Sequence, residues 1–190
     1  MSSPHGKVFV ITGPSGVGKG TLIAGLLEAT EDLEMSVSAT TRAPRDGEVD
    51  GTDYHFLEIS EFERRVQDGD FLEHASYSGN QYGTLRSEVE SRLASGISVV
   101  LEIELQGARQ IRGSMPEAVQ IFITPPDARA LRLRLEGRGT DSQEAIEERL
   151  RTAEVELAAQ GEFPNVVVND DVQKARAALI ELVRGELPLD

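Results

Sequence analysis

Apolar residues recur along this chain in two rhythms. Residues 8–12 form a short β-branched run with Gly13 directly behind it, which predicts a buried strand feeding a turn. Leu22, Ile23, Leu26 and Leu27 then fall at helical spacing, predicting a helix over residues 21–29. Strands are expected over residues 35–38, over 97–101 ending at Glu102, over 118–123 ahead of Pro125 and Pro126, and over 165–169. A helix over 127–136 has Asp127 as its cap, and Gly137, Arg138 and Gly139 break it. Asp141 with Glu144 reads as the cap of a longer helix reaching about residue 160, and residues 172–184 read as a closing helix. Strands alternating with helices predict a parallel sheet covered on both faces.

The middle of the chain departs from that alternation. Residues 40–53 are polar, rich in Gly, Arg and Asp, and contain Pro44 and Gly47. Ser60 followed by Glu63 is a capping-box pattern, opening a helix that carries Phe62 and Val66 and stops at Gly69. Aromatic and turn residues alternate over 71–82, which predicts short antiparallel strands. Residues 37–90 therefore read as a small inserted lobe.

Composition narrows the chemistry. A chain of 190 residues suits one compact α/β unit with an ample core. It contains no cysteine, so a disulfide framework and a thiolate metal site are excluded. The first seven residues are polar with no apolar stretch, and no apolar run reaches membrane length, so a cytoplasmic protein is expected. The formal net charge of -14 disfavours nucleic acid and anionic membranes as partners. It also repels nucleotides, so any phosphate chemistry needs concentrated local positive charge. Only Lys7, Lys19 and Lys174 are lysines; the other basic residues are arginines, which suit bidentate capture of phosphate. For surface arginines a compositional bias is the plainer explanation.

The run Gly13-Pro14-Ser15-Gly16-Val17-Gly18-Lys19-Gly20-Thr21 lies between the first strand and the first helix, the context a Walker A phosphate loop requires. Glycines let backbone N–H groups turn inward around an anion, and the helix N-terminus adds partial positive charge. Lys19 would bridge β- and γ-phosphates. An ordinary glycine-rich turn is the alternative, and the register of Gly13, Gly18 and Lys19 disfavours it. The position after the lysine, usually a Mg²⁺-ligating Ser or Thr, is Gly20, which leaves Thr21 as the candidate hydroxyl. Glu102, ending an apolar strand, sits where a Walker B acid would order magnesium-bound water; a solvated strand end is its other reading.

Further motifs follow: Ser38-Ala39-Thr40-Thr41-Arg42-Ala43-Pro44-Arg45-Asp46-Gly47-Glu48, Gly51-Thr52-Asp53-Tyr54, Phe71-Leu72-Glu73-His74 and Gly79-Asn80-Gln81-Tyr82-Gly83-Thr84. Glu102-Ile103-Glu104-Leu105-Gln106-Gly107-Ala108, Leu135-Glu136-Gly137-Arg138-Gly139-Thr140 and Val167-Val168-Asn169-Asp170-Asp171 complete the set. Together they closely resemble the guanylate kinase family, in family order and spacing, over residues 8–182. The resemblance implies a P-loop kinase of three-layer α/β/α build. Its parallel core would comprise residues 1–36, 91–126 and 150–190, with a small antiparallel GMP-binding lobe over 37–90 and a helical lid over 127–149.

It also implies the reaction, transfer of the ATP γ-phosphoryl group to GMP or dGMP with Mg²⁺ as cofactor, and it implies roles. Arg42, Arg45, Tyr54 and Tyr82 resemble a clamp on the GMP phosphate, and Ser38, Glu73, Thr84 and Glu104 resemble guanine readers. Arg138 and Arg149 resemble lid arginines that join Lys19 and Arg45 in catalysis, and Asn169 and Asp170 fall where the family meets adenine. Guanine offers N1–H and N2–H₂ donors that one carboxylate accepts together, whereas adenine offers an acceptor at N1. Glu104 stands where the family usually has Asp, and its extra methylene shifts the carboxylate. His55 and His74 need no acid–base role. A non-catalytic protein-binding relative, or a kinase for another phosphorylated acceptor, would lack this combination of loop lysine, lid arginines and guanine readers.

Overall fold

The computed structural model describes residues 6–77, 79–137 and 142–187. In chain order its elements are β1 (Val8–Thr12), α1 (Lys19–Ala29), β2 (Leu33–Met35), β3 (Ala39–Thr40) and β4 (His55–Phe56). Then come α2 (Ile59–Asp68), β5 (Phe71–Tyr77), β6 (Asn80–Leu85), α3 (Arg86–Ala94), β7 (Ser98–Glu102) and α4 (Leu105–Ser114). The chain closes with β8 (Val119–Thr124), α5 (Ala128–Glu136), α6 (Gln143–Ala158), β9 (Asn165–Val168) and α7 (Val172–Glu186).

Five strands form the core sheet in the order β2-β7-β1-β8-β9, all neighbours parallel. Successive side chains of β1 point to opposite faces, so the strand feeds two apolar layers at once. Val8 and Val10 join Val99, Leu101 and Phe122 beneath Val89 of α3 and Ala108 and Ile111 of α4. Phe9 and Ile11 join Val100, Ile121 and Ile123 beneath Leu22 and Leu26 of α1 and Leu179 and Val183 of α7. The expected three-layer α/β/α build results. Each fully buried aliphatic or Phe side chain contributes about 1.5–3 kcal/mol by leaving water.

The sheet also places the site. The connection from β1 runs through α1 on one face and that from its neighbour β7 through α4 on the other, so a crevice opens at the carboxyl ends of β1 and β7. Gly13 follows one of those ends and Glu102 stands on the other.

A second sheet, in the order β4-β3-β6-β5, carries its own apolar cluster of Ala39, Phe62, Phe71 and Leu85. The β5–β6 hairpin is antiparallel as expected, but β3 and β4 pair in parallel, so the lobe is mixed rather than purely antiparallel. Residues 41–54 allow this by looping β4 back along β3 in the same direction. The expected limit at residue 90 falls inside α3, whose Val89 packs on the core sheet. The expected limit at residue 149 likewise falls inside α6, which shares an apolar cluster with α5 through Leu131, Leu135, Ile146 and Ala153.

Three boundaries differ for local reasons. The second core strand is Leu33–Met35, so Ser38 stands beyond it. Helix α2 begins two residues before the Ser60 pattern requires, with Glu58 at the N-cap and no side-chain cap bond; Gly69 does end it. At the start of α6 the Ser142 hydroxyl accepts from the Ala145 N–H, and Asp141 lies outside the described residues. Helices α3 and α4 are short and bury few large apolar side chains, chiefly Val89 in one and Leu105 and Ile111 in the other, so their periodicity is weak in the sequence.

Candidate active site

The glycine-rich loop leaves β1 and turns directly into α1. Gly18 sits at the N-cap with φ 98°, a left-handed conformation that favours glycine. A Cβ there would meet Asn169 Nδ2 at 2.7 Å. Gly13 passes so close to β8 that its Cβ would lie 2.1 Å from the Ile123 carbonyl oxygen. The Lys19 ammonium donates to the Gly13 carbonyl at 2.6 Å and to that of Pro14 at 3.3 Å, so it folds back over the loop. Asn169, buried behind β9, donates from Nδ2 to the Val17 carbonyl at 2.8 Å. Asp170 is exposed and accepts from the Asp171 N–H at 2.6 Å. Of the pair expected beside adenine, Asn169 therefore braces the loop, and Asp170 stands at the head of α7.

A cleft of about 1060 Å³ opens over this loop. Gly13, Ser15, Gly16, Gly18, Lys19, Gly20 and Thr21 form its floor, and Ser38, Tyr54, Glu102 and Glu104 one wall. Glu148, Arg149, Thr152 and Glu156 of α6 form the opposing wall. Arg149 thus faces the loop lysine across the cleft; Arg138 lies outside the described residues. Thr21 and Glu102 are exposed to the same space and offer hard oxygen donors.

A smaller recess of about 270 Å³ continues from it, lined by Ser38, Tyr54, Glu73, Tyr82, Gly83, Glu104 and Gly107, among others. Glu73 is 5 % exposed. A bulge in β5 between Phe71 and Glu73 sets its direction. Phe71 stacks on Phe62 with ring centroids 4.4 Å apart, Leu72 enters the main core, and Glu73 turns into the recess. Thr84 is fully buried and donates from Oγ1 to Glu73 Oε1 at 2.7 Å. Thr84 therefore lies behind Glu73 and acts on the recess through it. Burial pushes the Glu73 carboxyl above the ordinary carboxylate range; the Thr84 bonds oppose this and the charge of Glu104 adds to it. Glu104 occupies the N-cap position of α4 but makes no capping bond, which leaves its carboxylate to the cleft. Loss of hydration raises its pKa and the Lys19 charge opposes the rise.

The four clamp residues divide. Tyr54 and Tyr82 both line the recess, with ring centroids 6.2 Å apart. Arg42 lies over the Tyr54 ring at 5.4 Å and donates to Glu48 Oε1 at 2.8 Å. That bond raises the guanidinium pKa and holds Glu48 below the usual carboxylate range. Arg45 is exposed and contributes its backbone N–H to Glu48 Oε2 at 2.7 Å. Neither arginine lines the two clefts.

Two site residues escape sequence reading. Arg134 of α5 donates to the Val17 carbonyl at 3.1 Å and the Asn169 carbonyl at 2.7 Å, tying α5 to the loop. Glu156 of α6 faces the loop from the cleft wall, in reach of the Ser15 N–H. Loss of hydration raises its carboxyl pKa, the Lys19 charge opposes this, and Glu104 adds to it. Both sit on helix faces where Arg and Glu are ordinary surface residues, so nothing in the sequence singles them out.

A parallel sheet with a phosphate loop at its switch point, and an arginine-bearing helix opposed to that loop, defines a P-loop nucleotide kinase. The guanylate kinase family model matches residues 5–186, and the chain belongs to the guanylate kinase family. A guanylate kinase of Rubrobacter xylanophilus is 55% identical over 180 residues, covering 95% of this chain and 94% of the relative. One from a Synechococcus species is 56% identical over 180 residues, covering 93% and 95%. The crystal structure of guanylate kinase from Anaplasma phagocytophilum superposes with a TM-score of 0.78 at 34% identity, covering 100% of this chain and 90% of that one.

Proposed function

We propose that this enzyme, an ATP-dependent guanylate kinase, reads guanine through Glu73 and binds the acceptor, GMP or dGMP, in the smaller recess. The observation that carries the reading is a buried carboxylate, oriented by Thr84, at the wall of a recess continuous with a phosphate loop. Ionised Glu73 accepts from N1–H and N2–H₂ of guanine. Adenine would leave that carboxylate facing an acceptor, a mismatch that costs ~10⁴-fold or more in selectivity. Ser38 and Glu104 line the same recess and complete the base contacts.

The acceptor phosphate lies toward Tyr54 and Tyr82. Arg42 joins it by exchanging Glu48 for the phosphate dianion, and Arg45 approaches from the exposed loop. Asn169 and Asp170 border the adenine of ATP. An oxygen of the GMP phosphate attacks the γ-phosphorus as the bond to the ADP oxygen breaks. That oxygen is already deprotonated at neutral pH, so no general base is needed, and rate derives from alignment and charge neutralisation. Lys19, Arg149 and Arg138 supply positive charge at the transferring group, and the α5–α6 lid excludes water that would otherwise hydrolyse ATP.

Magnesium fits the donors present. Thr21 would hold it directly and Glu102 through water. Mg²⁺ typically keeps several waters and takes phosphate oxygens beside one or two protein ligands, so these two donors would suffice. When bound, Mg²⁺ neutralises the β- and γ-phosphate charge.

The test is ADP release from ATP and Mg²⁺ with GMP, dGMP, AMP, CMP and UMP in parallel, and Glu73→Ala as control. Turnover with GMP and dGMP alone, abolished in the control, is expected. Equal turnover of AMP, or full GMP activity in Glu73→Ala, would remove Glu73 as base reader.

A further inference from the structure

Gly107 lies in the first turn of α4 and is buried against Glu73. A Cβ built there would stand 2.5 Å from Glu73 Oε2 and 3.1 Å from its carboxyl carbon. A real Cβ essentially never comes within 3.0 Å of an unbonded atom, so one partner would have to move. The helix is held in place. Its Gln110 side chain grips both backbone groups of His74, accepting the N–H at 3.1 Å and donating to the carbonyl at 2.8 Å. On the same helix Leu105, Ala108 and Ile111 are packed in the main core.

The strand cannot retreat either. Glu73 pairs with Thr84 in the hairpin, and a Cβ on Gly83 would already meet the Glu73 carbonyl oxygen at 2.8 Å. What remains movable is the Glu73 side chain itself, which the Thr84 hydroxyl fixes at one oxygen.

We infer that Gly107 is a specificity-determining residue: the side chain it lacks is the space in which the Glu73 carboxylate is seated to read the purine. The inference rests on the guanine-reading role of Glu73 proposed above. A methyl group at position 107 turns the carboxylate off Thr84 and away from the two guanine donors. A second glycine of the same helix provides the control, since a Cβ on Gly113 meets nothing within 4 Å.

The experiment compares wild type, Gly107→Ala, Gly113→Ala, Glu73→Asp and the Glu73→Asp/Gly107→Ala pair. It measures KM and kcat with GMP and with IMP, the analogue lacking the 2-amino group, together with KM for ATP and Tm. Gly113→Ala is expected to raise Tm by about 2–4 °C through helix propensity alone and to leave GMP kinetics unchanged. Gly107→Ala is expected to raise KM for GMP about tenfold or more, as charge-assisted hydrogen bonds are lost. Its preference for GMP over IMP shrinks while KM for ATP is unchanged. In the Glu73→Asp background, where the carboxylate is one methylene shorter, the same substitution costs little.

The proposal is overturned if Gly107→Ala behaves like Gly113→Ala, if it raises both nucleotide KM values alike, or if its cost is equal in both backgrounds. Wild-type protein that turns over no GMP sinks the functional reading and the specificity role with it. The Tm values then judge the contact separately: a loss from Gly107→Ala that Glu73→Asp relieves supports it, and equal changes overturn it.

Discussion

In the role proposed for it Glu73 acts only as an acceptor, so it must be ionised when guanine arrives. Its burial favours the protonated form, and Thr84 recovers part of the difference by donating to one oxygen. Falling pH should therefore weaken GMP binding through a pKa raised above the ordinary carboxylate value. KM for GMP should climb at a higher pH than free glutamate titration explains, and a Glu73→Gln profile should lack that component. The linked stability has a defined sign. A raised folded pKa means the folded protein binds the proton more tightly than the unfolded chain. The contribution is full below the unfolded pKa and is lost as pH rises through the folded one. The residue types themselves were legible in the sequence: Ser38, Glu73, Tyr54, Tyr82 and Glu104 do line one recess. The Arg42–Glu48 pair was not, because it depends on how the irregular loop between β3 and β4 folds back on itself, which no periodicity reports.

At the scale of the element, the phosphate loop contains glycines with opposite demands. Gly18 has a left-handed backbone and Asn169 against its α-carbon, whereas a Cβ on Gly20 meets nothing. Gly18→Ala should destabilise by about 1–3 kcal/mol from backbone strain alone. Gly20→Ala, in the first turn of α1, should stabilise by about 0.5–1 kcal/mol. Urea denaturation of the two variants checks both signs, and a destabilised Gly20→Ala would mean the loop is held by more than its own geometry. The same loop was easy to recognise from spacing, since strand, glycines, lysine and helix are contiguous. The bulge in β5 was not, because it is a shift in how that strand pairs with β6, which no periodicity within β5 reveals.

Over the whole molecule, the two proposed nucleotide sites use different parts of the fold. The phosphate loop stands on the core sheet, and the recess lies between the lobe hairpin and α4. Each ligand present at about 100 times its Kd should add about 2.7 kcal/mol to folding stability, which corresponds to a Tm rise of about 5–10 °C. GMP and a non-hydrolysable ATP analogue should each shift Tm alone. GMP should slow amide exchange chiefly in β5, β6 and the first turn of α4, and the ATP analogue in the loop and α1. Protection by GMP confined to the loop would misplace the acceptor site.

Alternating strands and helices, the phosphate loop and the carboxylate motif were all readable from residues 8–182, because each depends on neighbours close in sequence. Periodicity and turn chemistry are local. The parallel β3–β4 pair, the bracing of the loop by Asn169 and Arg134, and the seat that Gly107 provides for Glu73 were not readable. They join residues far apart in the chain, and only the packing of α4, α5 and β9 around the sheet brings those residues within bonding distance.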